Sequence, residues 1–351
     1  MAAQWRLKSI DLLSFLLEPL WRQEAAPARV VAVEPLAKAT HIWLRPAMRW
    51  AWPQPGQFIN VQFVHGAEQV QRCYSVSAVD QANDRFRITV CKVPGGLVSS
   101  ELVPALVVGS TLRISAAVGE FVSPTVSSPL WLWAAGSGIT PMLPLAEQAL
   151  AGGQPVNLLY LFRGQPQALM TDEWRALQQR YPQQLRIERI DTAKQARPND
   201  EALQQRLAAY ENNAHGYLCG PAGFLERAEA LAKAVGIPVE QLHIESFSSA
   251  APQPVMAATE LPLEAEDVVA KVHLTDGREV AVRAGQTILQ AVQAAGIVMP
   301  SCCGQGVCRS CETRKLSGAV ENIKTGLQQL REGEWILPCI SMPLSDVELA
   351  V

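Results

Sequence analysis

The sequence predicts a multidomain α/β and β protein in three folded units: a small β-barrel, a doubly wound parallel sheet, and a compact β unit around a cysteine loop. Three observations predict it. From residue 28 to about 126, short strand-like runs are punctuated by Gly and Pro, as in small barrels. From about residue 130, apolar strands alternate with helical segments, the signature of a parallel sheet covered by helices. Cys303, Cys308 and Cys311 then form C-x4-C-x2-C, and Cys339 follows after twenty-seven residues.

The elements follow in order. Residues 1–27 form a preface in which Leu13, Leu16, Leu17 and Leu20 recur at helical spacing. Such a helix either packs on its own protein or lies against a partner or a bilayer surface. Residues 28–127 carry the barrel strands, expected at 29–34, 41–44, 57–64, 73–78, 85–92 and 111–115. Residues 128–249 carry strands expected at 130–135, 156–162, 185–190 and 216–219, with helices running to about 150 and over 206–210 and 222–235. Residues 250–264, rich in Ala and Pro, read as a linker. Within 265–351, Asp276-Gly277 marks a hairpin between 268–274 and 279–282, and a helix over 287–295 leads to the cysteine loop. Hairpin, helix and cysteine loop in that order suit a β-grasp unit.

A chain of 351 residues supports two or three domains that each bury a core. The net charge of −3 gives no electrostatic case for nucleic-acid binding. Residues 261–351 hold 11 acidic and 8 basic side chains, so the cysteine-rich end accounts for the imbalance. Five of the eight cysteines fall after residue 301, which is not a secreted disulfide framework and suits a reducing compartment. No apolar run reaches the ~18 residues of a membrane span. Residues 10–20 contain Asp11 and Glu18 and make a poor signal peptide, so a cytoplasmic location is expected.

The cysteine spacing is the plant-type ferredoxin pattern for a 2Fe–2S cluster. Three ligands share a tight loop and the distant fourth closes the site; Gly304 and Gly306 let backbone amides approach the sulfides. A four-cysteine zinc site is the competing reading, but zinc sites pair their cysteines as C-x2–4-C twice, and Cys339 has no near partner in sequence. Cys302 would lengthen the first gap, so Cys303 is the expected ligand.

Other segments offer chemistry. Arg72-Cys73-Tyr74-Ser75 presents a cation, an aromatic face and a hydroxyl on one strand. Gly95-Gly96 with Ser99 supplies amides and a hydroxyl suited to a pyrophosphate, or makes an ordinary hairpin turn. Gly136-Ser137-Gly138-Ile139-Thr140-Pro141 follows an apolar strand and opens a helix, with Thr140 expected as N-cap and Pro141 in the first turn. Helix N-termini bind anions through free amides and dipole.

Taken together, R-x-Y-S, G-x-G-x-T-P and Cys219-Gly220-Pro221, in that order, resemble the ferredoxin–NADP+ reductase superfamily. With the four-cysteine segment, the likeness extends to phthalate dioxygenase reductase-type electron-transfer proteins over about residues 28–351. The resemblance implies a flavin-binding barrel, a nicotinamide domain and a β-grasp plant-type ferredoxin domain. Arg72, Tyr74 and Ser75 resemble the flavin-binding set, with Ser75 near the reactive edge; Gly96 and Ser99 resemble the flavin phosphate loop. Gly136, Gly138, Thr140 and Pro141 look like the NAD(P)H phosphate turn. Cys219, Gly220 and Pro221 are similar to the segment beneath the nicotinamide, and Phe247, in Glu245-Ser246-Phe247, to the residue beside the flavin.

The implied cofactors are a 2Fe–2S cluster and FAD, with FMN used by some of the phthalate-type branch. NADH or NADPH is the implied reductant. Arg163, after the second strand of the nicotinamide domain, is expected to face the adenosine ribose or its 2′-phosphate; relatives that use NADH can also carry arginine there, and NADH is the expectation over NADPH. Arg309 departs from the glycine many relatives have after the second cluster cysteine. The implied reaction takes hydride pairs from NAD(P)H and delivers single electrons to a separate oxygenase or a membrane fatty-acid desaturase, or to a non-oxygenase acceptor such as a hybrid-cluster protein. The preface and Val320–Gly326 are reminiscent of reductases serving desaturases, which would place residues 1–27 near the inner face of a membrane.

Overall fold

The computed structural model describes residues 26–47, 50–66, 68–123, 128–164, 168–208, 213–247, 268–297, 299, 301, 304, 306 and 311–351. The helix expected around Leu13–Leu20, the linker at 250–264, and Cys303 and Cys308 lie outside them.

Six strands close the first unit: β1 (Ala26–Pro35), β2 (Ala39–Pro46), β3 (Phe58–His65), β4 (Glu68–Asp80), β5 (Arg85–Cys91) and β6 (Thr111–Ile114), in the order β1-β2-β5-β4-β3-β6. Closure removes the exposed edges that an open sheet must otherwise protect. Alternate side chains such as Val30, Ile42, Ile59, Phe63 and Ile88 point inward and are buried. Each such burial stabilises by about 1.5–3 kcal/mol. β4 extends well beyond the expected 73–78 because its first half pairs with β3, out to His65 opposite Glu68, and its second half with β5.

The second unit alternates strand and helix: β7 (Leu130–Ala135), α1 (Met142–Ala151), β8 (Val156–Phe162), α2 (Thr171–Arg180), β9 (Leu185–Asp191), α3 (Asp200–Ala208), β10 (His215–Gly220), α4 (Ala222–Ala234) and β11 (Leu242–Ser246). All five strands are parallel, in the order β11-β10-β7-β8-β9. The run Leu130–Ala135 is apolar on both sides because helices cover both faces. Leu132 and Ala134 pack towards α1 and α2, while Trp133 packs with Leu203 of α3 and Leu225 of α4. The helix expected at 206–210 starts earlier, at Asp200, because Asn199 Oδ1 accepts from the Ala202 amide (2.9 Å) and so sets the N-terminus.

The barrel and this sheet share a core. Ala39 and Phe121 are buried among the α1 and β7 side chains, and the Tyr217 hydroxyl donates to the Val122 carbonyl (2.8 Å). Gly56, at φ +92°, lies so close to the Phe121 carbonyl that a Cβ would fall 1.8 Å from its oxygen.

The third unit comprises β12 (Val268–Leu274), β13 (Glu279–Arg283), α5 (Ile288–Ala294), β14 (Thr313–Ser317), β15 (Val320–Asn322), β16 (Gln328–Gln329), β17 (Trp335–Ile336), β18 (Ser341–Pro343) and β19 (Val347–Leu349). Five strands order as β13-β12-β19-β14-β17, and β16-β15-β18 form a small second sheet. Thr287 and Gln290 form a capping box that starts α5. Lys315 is fully buried, its ammonium donating to the Gly318 (2.5 Å) and Arg331 (2.8 Å) carbonyls. That satisfies a charge which would otherwise be costly to bury.

The tightest packing in the second unit lies where the turn after β7 meets the end of β10. An ideal Cβ on Gly138 would sit 2.0 Å from the Cys219 carbonyl oxygen and 2.8 Å from the Gly220 nitrogen. These are rigid backbone atoms. Gly138→Ala is therefore expected to destabilise the protein by about 1–3 kcal/mol, read as a lower urea midpoint. An unchanged midpoint would contradict this packing.

Candidate functional site

From β7 the chain works outward through β8 and β9, then returns to the other side for β10 and β11. The C-terminal ends of β7 and β10 therefore flank the switch point at which open α/β sheets take ligands. Two sequence motifs meet there. Gly136–Ile139 leaves β7 as a 3-10 turn, and Pro221 leaves β10 ahead of α4. Gly136 needs its freedom, with φ at +56°. Gly220 leaves space on the other side: a Cβ there would lie 2.8 Å from the Phe224 ring and 3.0 Å from the Ala135 Cβ.

The capping expectation for Thr140 is corrected. An N-cap needs an extended backbone, whereas Thr140 is helical (φ −64°, ψ −39°) and its amide donates to the Ser137 carbonyl at 3.0 Å. The 3-10 turn takes the first helical positions, so the extended residue before the helix is Ala135 (φ −129°, ψ 130°). Pro141 is helical immediately before α1, consistent with its fixed φ. Arg163 is exposed directly after β8, at the neighbouring strand end.

Arg72, Tyr74 and Ser75 lie on β4, with Ser75 opposite Phe58 and Tyr74 opposite Ile59 of β3. Arg72 is exposed, its guanidinium donating to the Gln71 carbonyl (2.7 Å). The Tyr74 ring meets Phe63 edge-on (6.4 Å, 83°), and burial raises its phenol pKa, which keeps it protonated. Ser75 is buried at 4% exposure, and its Oγ has no hydrogen-bond partner among the described residues. A buried hydroxyl without a partner is unfavourable by about 1–3 kcal/mol, so this atom is poised for a ligand. In the loop that follows β5, Gly95 has φ +70°, and the Gly96 amide donates to the Val93 carbonyl (2.9 Å). Ser99 braces this loop from within, its Oγ accepting from the Val93 amide (3.0 Å). These groups fit a flavin and its phosphate.

Cys219 is fully buried, and burial, reinforced by Glu245, raises its thiol well above the usual range. The group is a neutral thiol and not a nucleophile. Glu245 lies opposite it in register on β11, and Phe247, half-buried just beyond, packs on the core that contains Cys219. Sequence positions 138, 219, 220 and 247 thus converge on one end of the sheet.

In the third unit Cys311 and Cys339 are both buried, at 3% and 7% exposure, in one apolar core with Ile336, Ile340 and Met299. Gly304 and Gly306 have φ of +65° and +76°, and a Cβ on Gly306 would lie 2.3 Å from the Ile340 side chain, next to Cys339. The glycine turn is therefore pressed onto the segment that carries the fourth cysteine. Buried thiols beside a glycine turn fit a cluster with exposed backbone amides.

Sequence reading missed three polar residues beside this site. Tyr160 of β8 is 1% exposed; its hydroxyl donates to the Gly136 carbonyl (3.2 Å) and accepts from the Leu169 amide (3.3 Å). Asp191, ending β9, accepts from the Gly164 (2.7 Å) and Ala193 (3.0 Å) amides, and these bonds hold its carboxyl below the usual range. Arg87 of β5 pairs across the domain seam with Glu173 of α2 (2.8 Å). A strand-terminal aspartate was a usable signal for Asp191; nothing local marks the other two.

Comparison with known proteins agrees with this geometry. The oxidoreductase FAD-binding domain family matches residues 52–122, the oxidoreductase NAD-binding domain family residues 132–230, and the 2Fe-2S iron-sulfur cluster binding domain family residues 272–344. The ferredoxin reductase component of 3-ketosteroid-9-alpha-monooxygenase from Mycobacterium tuberculosis (strain CDC 1551 / Oshkosh) is 32% identical over 299 residues, 83% of either chain. An intact type IV self-sufficient cytochrome P450 monooxygenase is 27% identical with a TM-score of 0.65; the match covers 99% of this chain and 43% of that one. Phthalate dioxygenase reductase has the same fold, with a TM-score of 0.57 at 23% identity over 94% of this chain and 99% of its own. The chain belongs to this family of oxidoreductases, the ferredoxin reductase components that carry an FAD-binding, an NAD-binding and a 2Fe–2S domain in one polypeptide.

Proposed function

We propose that this chain draws electrons from NAD(P)H and hands them singly to a separate oxygenase component. The observation that carries the reading is the buried, partnerless Ser75 hydroxyl on a barrel strand whose unit shares a core with the nicotinamide sheet. The acceptor is inferred from relatives such as the 3-ketosteroid-9-alpha-monooxygenase component. Functional units at 28–127, 128–249 and 265–351, joined at 250–264, contain the three matched spans.

When bound, flavin accepts a hydride from the reduced nicotinamide and parts with its electrons singly, and the 2Fe–2S cluster carries them one at a time. The residues bind and orient. Arg72 supplies a cation for the flavin phosphates, while Gly96 and Ser99 shape the loop whose amides face them. Tyr74 would hold the isoalloxazine with its ring, and Ser75 Oγ would supply a hydrogen bond to the flavin where it takes up hydride. Phe247 would help to hold the flavin and to exclude water from it. Gly136, Gly138, Thr140 and Pro141 set the turn that receives the dinucleotide phosphates, and Arg163 meets the adenosine ribose. Cys219, Gly220 and Pro221 form the floor beneath the nicotinamide; the neutral Cys219 thiol gives that floor bulk without charge. Cys303, Cys308, Cys311 and Cys339 hold the cluster as thiolates.

Two outcomes test these assignments. Ser75→Ala should slow flavin reduction on the order of 100-fold, as for loss of one preorganised donor, with nicotinamide affinity unchanged, followed by anaerobic stopped-flow absorbance. A wild-type rate would remove Ser75 from the reaction. Cys339→Ser should return iron-depleted protein lacking cluster absorbance while still reducing a dye that accepts from flavin; full iron content would refute its ligand role.

A further inference from the structure

The seam between barrel and nicotinamide sheet contains an ion pair, buried at its arginine end and open to solvent at its carboxylate end, that the site as described does not use. Arg87 is 5% exposed, its Nη1 donates to Glu173 Oε1 at 2.8 Å, and its Nη2 finds no acceptor among the described residues. Burying a guanidinium with an unmet donor is a poor way to add stability, since apolar side chains of similar size commonly do as well or better. Among the described residues the ion-pair partners of Glu173 are Arg87 and His41. His41, 4.0 Å from Glu173, has its pKa lowered to about 4 by burial and by Arg87, and is neutral at pH 7.

What the pair connects is specific. On the barrel side, Arg87 Nε donates to Ser77 Oγ (3.2 Å), and Ser77 lies two residues beyond Ser75 on β4. Ser77 Oγ also lies 2.9 Å from Thr89 Oγ1, which in turn lies 2.9 Å from His41 Nδ1. On the sheet side, Glu173 sits in the first turn of α2. The residue pair just before that helix, Leu169-Met170, is pinned: Met170 adopts φ +56°, and the Leu169 amide donates to the Tyr160 hydroxyl. Tyr160 passes the connection on to the Gly136 carbonyl in the phosphate turn. A run of polar contacts, joined by one short stretch of backbone, therefore links the strand bearing Ser75 to the turn bearing Gly136.

We propose that Arg87 and Glu173 are positioning residues, bracing the Ser75 strand of the barrel in register with the Gly136 turn of the nicotinamide unit. This rests on the hydride-transfer reading above. Hydride transfer needs the donor carbon and flavin edge within a few tenths of an ångström of a fixed separation, and a shift of about 1 Å can slow such a step on the order of 100-fold. A charge pair across the seam resists sliding in a way that an apolar contact does not, because its energy falls off with both distance and direction.

The test uses the holoprotein with Glu173→Gln, Arg87→Met and the swap Arg87→Glu with Glu173→Arg. NADH and NADPH are each tried on wild type, and the one accepted is used throughout. Expected for the single variants are retained flavin, unchanged nicotinamide affinity, and anaerobic flavin reduction slowed on the order of 10- to 100-fold. Amide exchange over 136–140 should also be faster, with both effects largely reversed in the swap. Glu173 is at the surface end of the pair, so Glu173→Gln keeps the test alive should Arg87→Met fail to fold. Wild-type flavin reduction and exchange in Glu173→Gln would overturn the brace, as would slowing that tracks lost nicotinamide affinity and is not reversed by the swap. Wild-type flavin left oxidised by both nucleotides would overturn the functional reading, while exchange over 136–140 would still report on the brace.

Discussion

The reductase half depends on one close approach: the backbone of the turn after β7 rests on the carbonyl at the end of β10. That approach exists only because residue 138 has no side chain, the nearest Cys219 atom lying 2.0 Å from where a Cβ would be. It joins two segments more than eighty positions apart and makes the strand-order reversal into a surface. Gly220 and Gly136 extend the same principle, the first by leaving room for Ala135 and Phe224, the second by turning the chain through the left-handed region. In the proposed reading, backbone amides there would meet the dinucleotide phosphates without a side chain between, as at a helix N-terminus.

The barrel contributes by being rigid and by being fastened. Closure of its six strands fixes β4, so the Ser75 hydroxyl is held buried without a partner rather than relaxing to one. The shared core around Ala39, Phe121 and Leu145 fastens the barrel to the parallel sheet, and with it β4 to the turn after β7. In the third unit the same logic recurs with cysteines: Gly306 presses against Ile340, beside Cys339, so a loop and a distant strand end enclose one site. Chemistry at all three places is left to bound groups, and the protein supplies geometry.

Much of this was legible in the amino-acid order because it is written in glycine, cysteine and periodicity. The cysteine spacing, the two glycine motifs and the alternation of apolar strands pointed to the three-part fold and to the family. What stayed hidden has physical reasons. α2 buries only Trp174 and Leu177 among polar neighbours, too sparse a stripe to announce a helix, and β11 is an edge strand of mixed character. α3 was misplaced because its start is set by one Asn199 cap and not by its apolar residues. Thr140 looked like a cap by type, but capping depends on backbone angles that the preceding 3-10 turn decides. Arg87 and Glu173 are 86 positions apart, and no local pattern signals a contact at that range.

The account stands on electrons entering as pairs through the nicotinamide crevice and leaving through the four-cysteine site. Anaerobic titration of the freshly isolated protein with reduced nicotinamide, followed by absorbance and iron analysis, tests it most directly. The account predicts that flavin bands and iron–sulfur absorbance both bleach, with two irons per chain as a 2Fe–2S centre requires. Flavin that bleaches beside an unresponsive or iron-free cysteine site would contradict it.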